Sequence, residues 1–269
     1  MTAATYRDYS GTAAELYQSF FVPTIATPVS TGLLDAAALR PGERVLDVAC
    51  GTGVITRAAA ERVGPTGSVT GVDLAPDMIA TAESVPAAGA PIAWHCSDAT
   101  SLPLPDEAYD VALCQMGLMF VPDKAAVLSE MHRTLAPGGR AIINTPGRIQ
   151  PPFAAMEQAI VDTLGPHLGA FVAVVFSMHD PDLLASLLAA AGFAEVEATG
   201  YTAPLSLPGP AEFLWTYVNL TPMGALVADA PTSARDELER RVVESWEPYV
   251  TDGRTPVDQP MVLATARRR

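Results

Sequence analysis

The stretch Arg44-Val45-Leu46-Asp47-Val48-Ala49-Cys50-Gly51-Thr52-Gly53 constrains the fold more than any other part of the chain. Val45, Leu46 and Val48 are a short apolar run of the kind that builds a buried strand. Gly51 and Gly53 follow at once, and without a Cβ they let the backbone come close to a bound molecule. From Val54 to Val63 the pattern is helical, and Gly64-Pro65 stops it. Strand, glycine turn and helix form one unit of an open α/β sheet, whose ligands bind at the carboxyl ends of the strands. A second strand, Ser68 to Asp73, ends on a carboxylate about 20 residues after the glycines, where it can accept two hydrogen bonds from a ribose diol.

Further blocks follow in order: GVDLAPDMI, CSDATSLPLPDEAYDVALC and LAPGGR. Together with VLDVACGTG they resemble the ordered motifs of class I S-adenosylmethionine (SAM) dependent methyltransferases. Within these the chain is similar to the small-molecule branch that contains the ubiquinone/menaquinone C-methyltransferases. The resemblance covers residues 40–145 well and the remainder loosely. Ala49 departs from it, standing where the family usually has its first glycine, and a slight change in turn geometry is expected. The resemblance implies a Rossmann-like methyltransferase fold, a doubly wound, seven-stranded, mostly parallel sheet. It also implies SAM as cofactor, held by Tyr17, Asp47, Ala49, Gly51, Gly53, Asp73, Leu74, Met78, Asp98, Ala99, Cys114, Gln115 and Met116. In that family the acidic residue at Asp98 accepts from the adenine amino group, and the next backbone amide donates to the ring. Met78, on the first turn after Asp73, offers a thioether to the adenine, a favourable contact with an aromatic ring.

The chain has 269 residues and 49% apolar composition, enough for one α/β domain with a sizeable core. Its formal charge of −14 argues against a phosphate-neutralising surface for nucleic acid. No apolar run is long enough to span a membrane, and MTAATYRDYS lacks a signal-peptide pattern. Cys50, Cys96 and Cys114 form no CxxC pair and read as small apolar fillers near strands, which suits a reducing cytoplasm. Arg267-Arg268-Arg269 reads as a solvated tip. Both a monomer and a homodimer fit these features.

Residues 1–40 read as two helices, Ala13 to Phe21 and Pro28 to Ala38, divided by Pro23 and Pro28. They carry Tyr6, Tyr9, Tyr17, Phe20 and Phe21, and the resemblance makes them a flap over the methionine end of the cofactor. Strands are expected at Ile92 to Cys96, Val111 to Cys114, Arg140 to Asn144, Phe193 to Tyr201 and Pro260 to Ala266. By the resemblance the last pairs antiparallel inside the sheet. Lys124, His132 and Arg133 on the helix Ala125 to Leu135 are expected to face solvent. The SAM-binding domain, 41–269, carries two inserted helical segments, about 150–178 and 208–248. They would form a lid over the carboxyl edge.

The sheet can hold a cofactor but cannot choose an acceptor. Phe153, Phe171 and Trp215, on the inserted segments, are the candidate acceptor walls, and apolar walls favour a small, largely apolar acceptor. Methyl transfer by in-line displacement mainly needs positioning and desolvation. If the acceptor must lose a proton, a histidine is the usual base. His167, on an inserted helix, and His179, before Asp180-Pro181, could reach the acceptor, whereas His95 reads as structural. No His, Asp and Glu set at ligand spacing suggests a metal. A nicotinamide-dependent oxidoreductase shares the strand-turn-helix unit, although Ala-Cys-Gly-Thr-Gly is not G-x-G-x-x-G. A SAM-binding protein without catalysis is the third reading.

Overall fold

The computed structural model describes residues 12–269, apart from the side chain of His167. Tyr6 and Tyr9 therefore lie outside the described residues. Seven strands form one sheet in the order β3-β2-β1-β4-β5-β7-β6. They are β1 (Arg44–Val48), β2 (Ser68–Asp73), β3 (Ile92–Cys96), β4 (Tyr109–Gln115), β5 (Leu135–Pro146), β6 (Ala194–Leu207) and β7 (Thr255–Arg267). β1 to β5 pair in parallel, and β7 runs antiparallel between β5 and β6. This is the doubly wound, mostly parallel sheet expected from the sequence. One face carries α2 (Thr27–Ala37) and α3 (Val54–Val63), packed through Leu33, Ile55 and Val63 on Val45 and Val111. The other carries α5 (Lys124–Thr134) and α8 (Pro181–Ala190), through Leu128, Met131, Leu184 and Leu188. α4 (Pro76–Ser84) follows β2.

The N-terminal segment is one helical run, not two helices. α1 (Ala13–Leu16) passes into a π-helical stretch, Tyr17–Ala26, and then into α2. Pro23 lies within the wide stretch, where the Thr27 N–H donates to the Val22 carbonyl, a step of five residues. A proline ring clashes with the carbonyl four residues earlier in an α-helix. The wider turn moves that carbonyl aside, so the proline widens the helix instead of ending it. The run lies at the carboxyl edge of the sheet and is fixed by side chains from three strands. Gln115 donates to the Ala26 carbonyl at 3.0 Å, and Tyr201 to the Val29 carbonyl at 2.6 Å. Asn144 Nδ2 contacts the Val29 carbonyl at 3.2 Å and the Tyr201 hydroxyl at 2.9 Å. At the other end of α2, Arg140 donates to the carbonyls of Ala37 and Ala38 and pairs with Glu43 at 2.8 Å. A cation there also suits the helix dipole.

The inserted chain after β5 is two helices, α6 (Pro151–Leu164) and α7 (Pro166–Val175), divided at Gly165, whose φ is 104°. With α9 (Pro210–Asn219), α10 (Met223–Ala228) and α11 (Thr232–Trp246) they enclose a separate apolar core. Its centre is Phe213, with ring centroids 5.3 Å from Trp246 and 5.8 Å from Phe153. β6 and β7 are longer than expected. Their pairing continues from Thr202↔Pro260 to Leu207↔Thr255, past Pro146, the last β5 residue paired with β7. Pro204 and Pro256 fall within the extension, where β6 is an edge strand and β7 lacks its β5 neighbour, which is where a strand tolerates proline.

Expectations for four surface residues are corrected. Arg133 is half-buried and fans over Glu130, Asp106 and the carbonyls of Leu102 and Leu104, fixing the proline loop before β4. His132 packs edge-on against Phe193, and Lys124 caps the Val121 carbonyl. Arg268 is not a free tip, since it bonds the carbonyls of Arg133 and Leu135 and the Glu107 carboxylate. Cys50 and Cys114 are buried fillers, whereas Cys96 is exposed.

The latch at Val29 can be tested directly. Tyr201→Phe removes a donor and an acceptor from the Val29–Asn144 network, and a loss of about 1–2 kcal/mol in equilibrium unfolding is expected. Amide exchange should accelerate selectively in residues 12–37. Unchanged exchange there would mean that the hydroxyl does not hold the helical run.

Candidate functional site

The site begins where β1 ends. Ala49 takes the left-handed conformation with φ 56°, so the departure from glycine keeps the turn but at some backbone strain. Met116, just past β4, does the same at φ 49°. Between them Gly117 passes so close that a Cβ there would lie 2.5 Å from the Ala49 Cβ. Asp73 is aimed by the backbone: Oδ2 accepts from the Gly51 N–H at 2.8 Å and Oδ1 from the Ala75 N–H at 3.0 Å. Each oxygen keeps a lone pair for a diol. Beside it Leu74 is an apolar side chain left 68% exposed, and Met78 is half-buried. A carboxylate with spare lone pairs next to an apolar platform fits a ribose and a planar base.

Asp47 lies beneath the turn, 1% exposed, and accepts from the Thr56 hydroxyl at 2.6 Å. Burial raises its carboxyl to about 7, against the opposing Thr56 hydrogen bond and with a smaller push from Asp73. Burial also raises the Cys50 thiol, and the Cys114 thiol to about 12, so neither is a thiolate. Asp98 is exposed and accepts from the N–H and hydroxyl of Thr100, both at 2.8 Å, which hold its carboxyl below the usual carboxylate range. It thus builds a turn at the end of β3, with Ala99 half-buried behind it. Gln115 is engaged as the latch to Ala26.

An apolar cavity of about 290 Å³ opens from this edge. Tyr17, Phe21, Ile25 and Val29 line one side at four-residue spacing, Phe153 and Met156 come from α6, and Phe171, Val172 and Val175 from α7. Met78, Met116 and Phe120 stand at the glycine-turn side, and Leu205, Gln259 and Met261 at the far side. Among the expected acceptor walls, Phe153 and Phe171 line the cavity, while Trp215 does not. Its indole N–H points to Glu239 on α11. His179 is exposed, with Nδ1 3.0 Å from the Phe176 carbonyl, and is not on the cavity wall. His167 is on α7 with its side chain outside the described residues. Gln259 had no place in the sequence reading, and Phe120 and Tyr217, on stretches that it marked as apolar, were not among its acceptor walls. The Tyr17, Phe21, Ile25, Val29 stripe was legible as a helical face, and alternation along β7 would have exposed Gln259 as a polar residue on the inner face. Among the described residues no group of three or more His, Cys, Asp and Glu could hold a metal.

The fold and site together define a SAM-binding α/β enzyme class, and comparisons with known proteins agree. The profile of the methyltransferase domain family matches residues 45–139. Nocamycin O-methyltransferase of Saccharothrix syringae is 34% identical over 71% of this chain and 74% of its own. Demethylmenaquinone methyltransferase of Staphylococcus aureus is 31% identical over 61% of this chain and 73% of its own. In fold, phosphoethanolamine N-methyltransferase 2 of Haemonchus contortus, solved with SAM, overlays with a TM-score of 0.57 at 18% identity, covering 100% of this chain and 61% of that one. The chain belongs to the class I SAM-dependent methyltransferases, in their small-molecule branch. SAM is its cofactor, and the oxidoreductase reading is not favoured.

Two predictions follow from the turn. Gly117→Ala should destabilise by about 1–3 kcal/mol through overpacking, and Ala49→Gly in the same chain should restore most of it. Additive losses in that cycle would show that the two sites are not in contact. For Asp47, the folded protein holds the proton more tightly than the unfolded chain, whose carboxyl titrates near about 4. That stabilisation is complete below about 4 and is lost as pH rises to about 7. Wild-type stability should fall relative to Asp47→Asn across that interval and run parallel to it above. A constant difference in melting profiles would mean that Asp47 titrates normally.

Proposed function

We propose that the protein methylates a small, largely apolar, ring-bearing acceptor by in-line displacement, without a metal. The observation that carries this reading is the continuity between the glycine turn and an aromatic-walled cavity. The bound cofactor supplies an activated methyl group on a positive sulfur. Gly51, Asp73, Leu74 and Met78 would hold its nucleoside part, and Tyr17, Met116 and Ala49 would border its reactive end. The helical run 12–37 serves as a flap, and segments 150–178 and 208–248 as a lid that keeps water from the acceptor. Apolar walls favour flat apolar rings over sugars or polyanions. Both curated relatives are named for small-molecule methylation, one on oxygen, which supports oxygen or carbon as the receiving atom. No carboxylate, imidazole or ammonium stands among the described lining side chains. The acceptor's own acidity therefore sets its nucleophile, and His179 has no part. The charge of −14 supports an acceptor other than nucleic acid.

The test uses isotopically labelled SAM with a panel of hydroxylated naphthalenes, biphenyls and small polar amines. Asp73→Ala should weaken SAM binding by about 1–3 kcal/mol in calorimetry. Phe153→Ala and Phe171→Ala should leave SAM affinity within about threefold, under about 0.7 kcal/mol. At least one should slow transfer to an aromatic acceptor tenfold, about 1.4 kcal/mol of transition-state stabilisation. Transfer to the amines alone, or folded cavity variants with unchanged rates, would overturn the reading.

A further inference from the structure

Among the described residues, Gln259 is the one amide side chain in a cavity wall that is otherwise apolar or hydroxyl-bearing. It is 4% exposed, and its Oε1 is buried with no hydrogen-bond partner. The buried atoms Thr52 Oγ1, Trp246 Nε1 and Thr255 Oγ1 also lack partners, but of these four residues only Gln259 borders the cavity. The orientation of its amide is fixed, because Nε2 donates to the Pro260 carbonyl at 2.7 Å. Reversing the amide would set two oxygens against each other, so the unpaired end is the carbonyl. A buried carbonyl without a partner costs free energy comparable to a lost hydrogen bond. A donor that enters the cavity and reaches Oε1 through a small shift of the wall would recover that cost.

The position of Gln259 sets where the donor must be. Gln115 pairs with Asn144 and Asn144 with Leu263, so Met116 is level with Val262. Gln259 lies three residues further along β7 and two strands across. At about 3.3 Å per residue and 4.8 Å per strand, that is about 10 Å along and about 10 Å sideways. It is therefore remote from the end of the cavity where Met116 borders the methyl source.

We propose that Gln259 reads the acceptor, accepting a hydrogen bond from a hydroxyl or N–H group at the end remote from the methylated atom. The inference rests on the cavity being the acceptor site. One N–H of Nε2 is spent on Pro260, and Oε1 is the atom left without a partner. At that atom a phenol or alcohol is favoured over an ether or bare hydrocarbon of the same shape. A ligand lacking the donor leaves the carbonyl as unpaired as it is in the free protein. One that presents an ether oxygen adds repulsion to this.

The probes are 4-hydroxybiphenyl, 4-methoxybiphenyl and biphenyl, with binding followed by calorimetry on wild type, Gln259→Met and Gln259→Asn, with and without SAM. Wild type should bind 4-hydroxybiphenyl about tenfold more tightly than the other two. Gln259→Met should bind all three within about threefold of one another and keep the wild-type affinity for biphenyl. Its melting temperature should equal or exceed that of wild type, because an apolar group of similar shape replaces an unpaired carbonyl. Gln259→Asn, whose carbonyl is withdrawn by one methylene, should also lose the preference. If wild type binds the three probes equally, Gln259 is not a reader, while the cavity reading stands. If Gln259→Met keeps the tenfold preference, the assignment is likewise wrong. If none of the probes binds wild type, the acceptor-cavity reading fails and this inference with it.

Discussion

The cover over the sheet depends on main-chain carbonyls of the N-terminal helical run finding donors on the strands beneath. A run interrupted by Pro23 and Pro28 has fewer internal hydrogen bonds than a regular helix. Gln115, Asn144 and Tyr201 supply tertiary ones from β4, β5 and β6. Asn144 is also a main-chain organiser, because its Oδ1 accepts from the Met116 N–H at 3.2 Å. One side chain thus ties the left-handed residue at the end of β4 to the helix that walls the cavity. Cofactor turn, cavity and cover share a single buried polar joint, and an unpaired member of such a joint is costly.

The two halves of the site differ in kind. On the turn side, placement is electrostatic. Asp73 is aimed by two N–H groups, and Asp47 is buried and bonded to Thr56. On the side of the inserted helices, placement comes from packing. Phe153, Phe213 and Trp246 form a contiguous aromatic core within those helices. They share it with the extended ends of β6 and β7, and it is a different cluster from the sheet cores on either face. The cavity runs along the seam between these two bodies, which is where a fold can vary its acceptor without disturbing its cofactor turn.

Much of this was legible in the sequence. β1 and β2 with their turn carry short apolar runs and two positional glycines, signals set by local chemistry. The aromatic content of the helical inserts pointed to apolar walls. What the sequence left open was direction. Phe171 and Trp215 are both aromatic residues on inserted helices, but α11 places Glu239 beside the Trp215 indole and turns it away from the cavity. Arg133 and Arg268 read as solvated charges because the carbonyls that they satisfy belong to distant chain. Pro23 read as a helix end because its accommodation needs a wider turn that only the tertiary contacts stabilise.

The extension of β6 and β7 beyond the sheet carries a consequence for insertion and deletion. Thr255, Val257, Gln259 and Met261 face inward, while Pro256 and Asp258 are exposed. A strand has a period of two, so slipping β7 by one residue exchanges these sets. Asp258 would then meet the cavity, and the apolar members would meet water. The turn 251–254 between the short 3₁₀ helix Glu247–Tyr249 and β7 is closed by the Thr251↔Arg254 bridge. A deletion there that drew β7 along by one residue would invert the cavity wall, whereas one absorbed within the turn would leave the pairing of β7 with β5 and β6 unchanged.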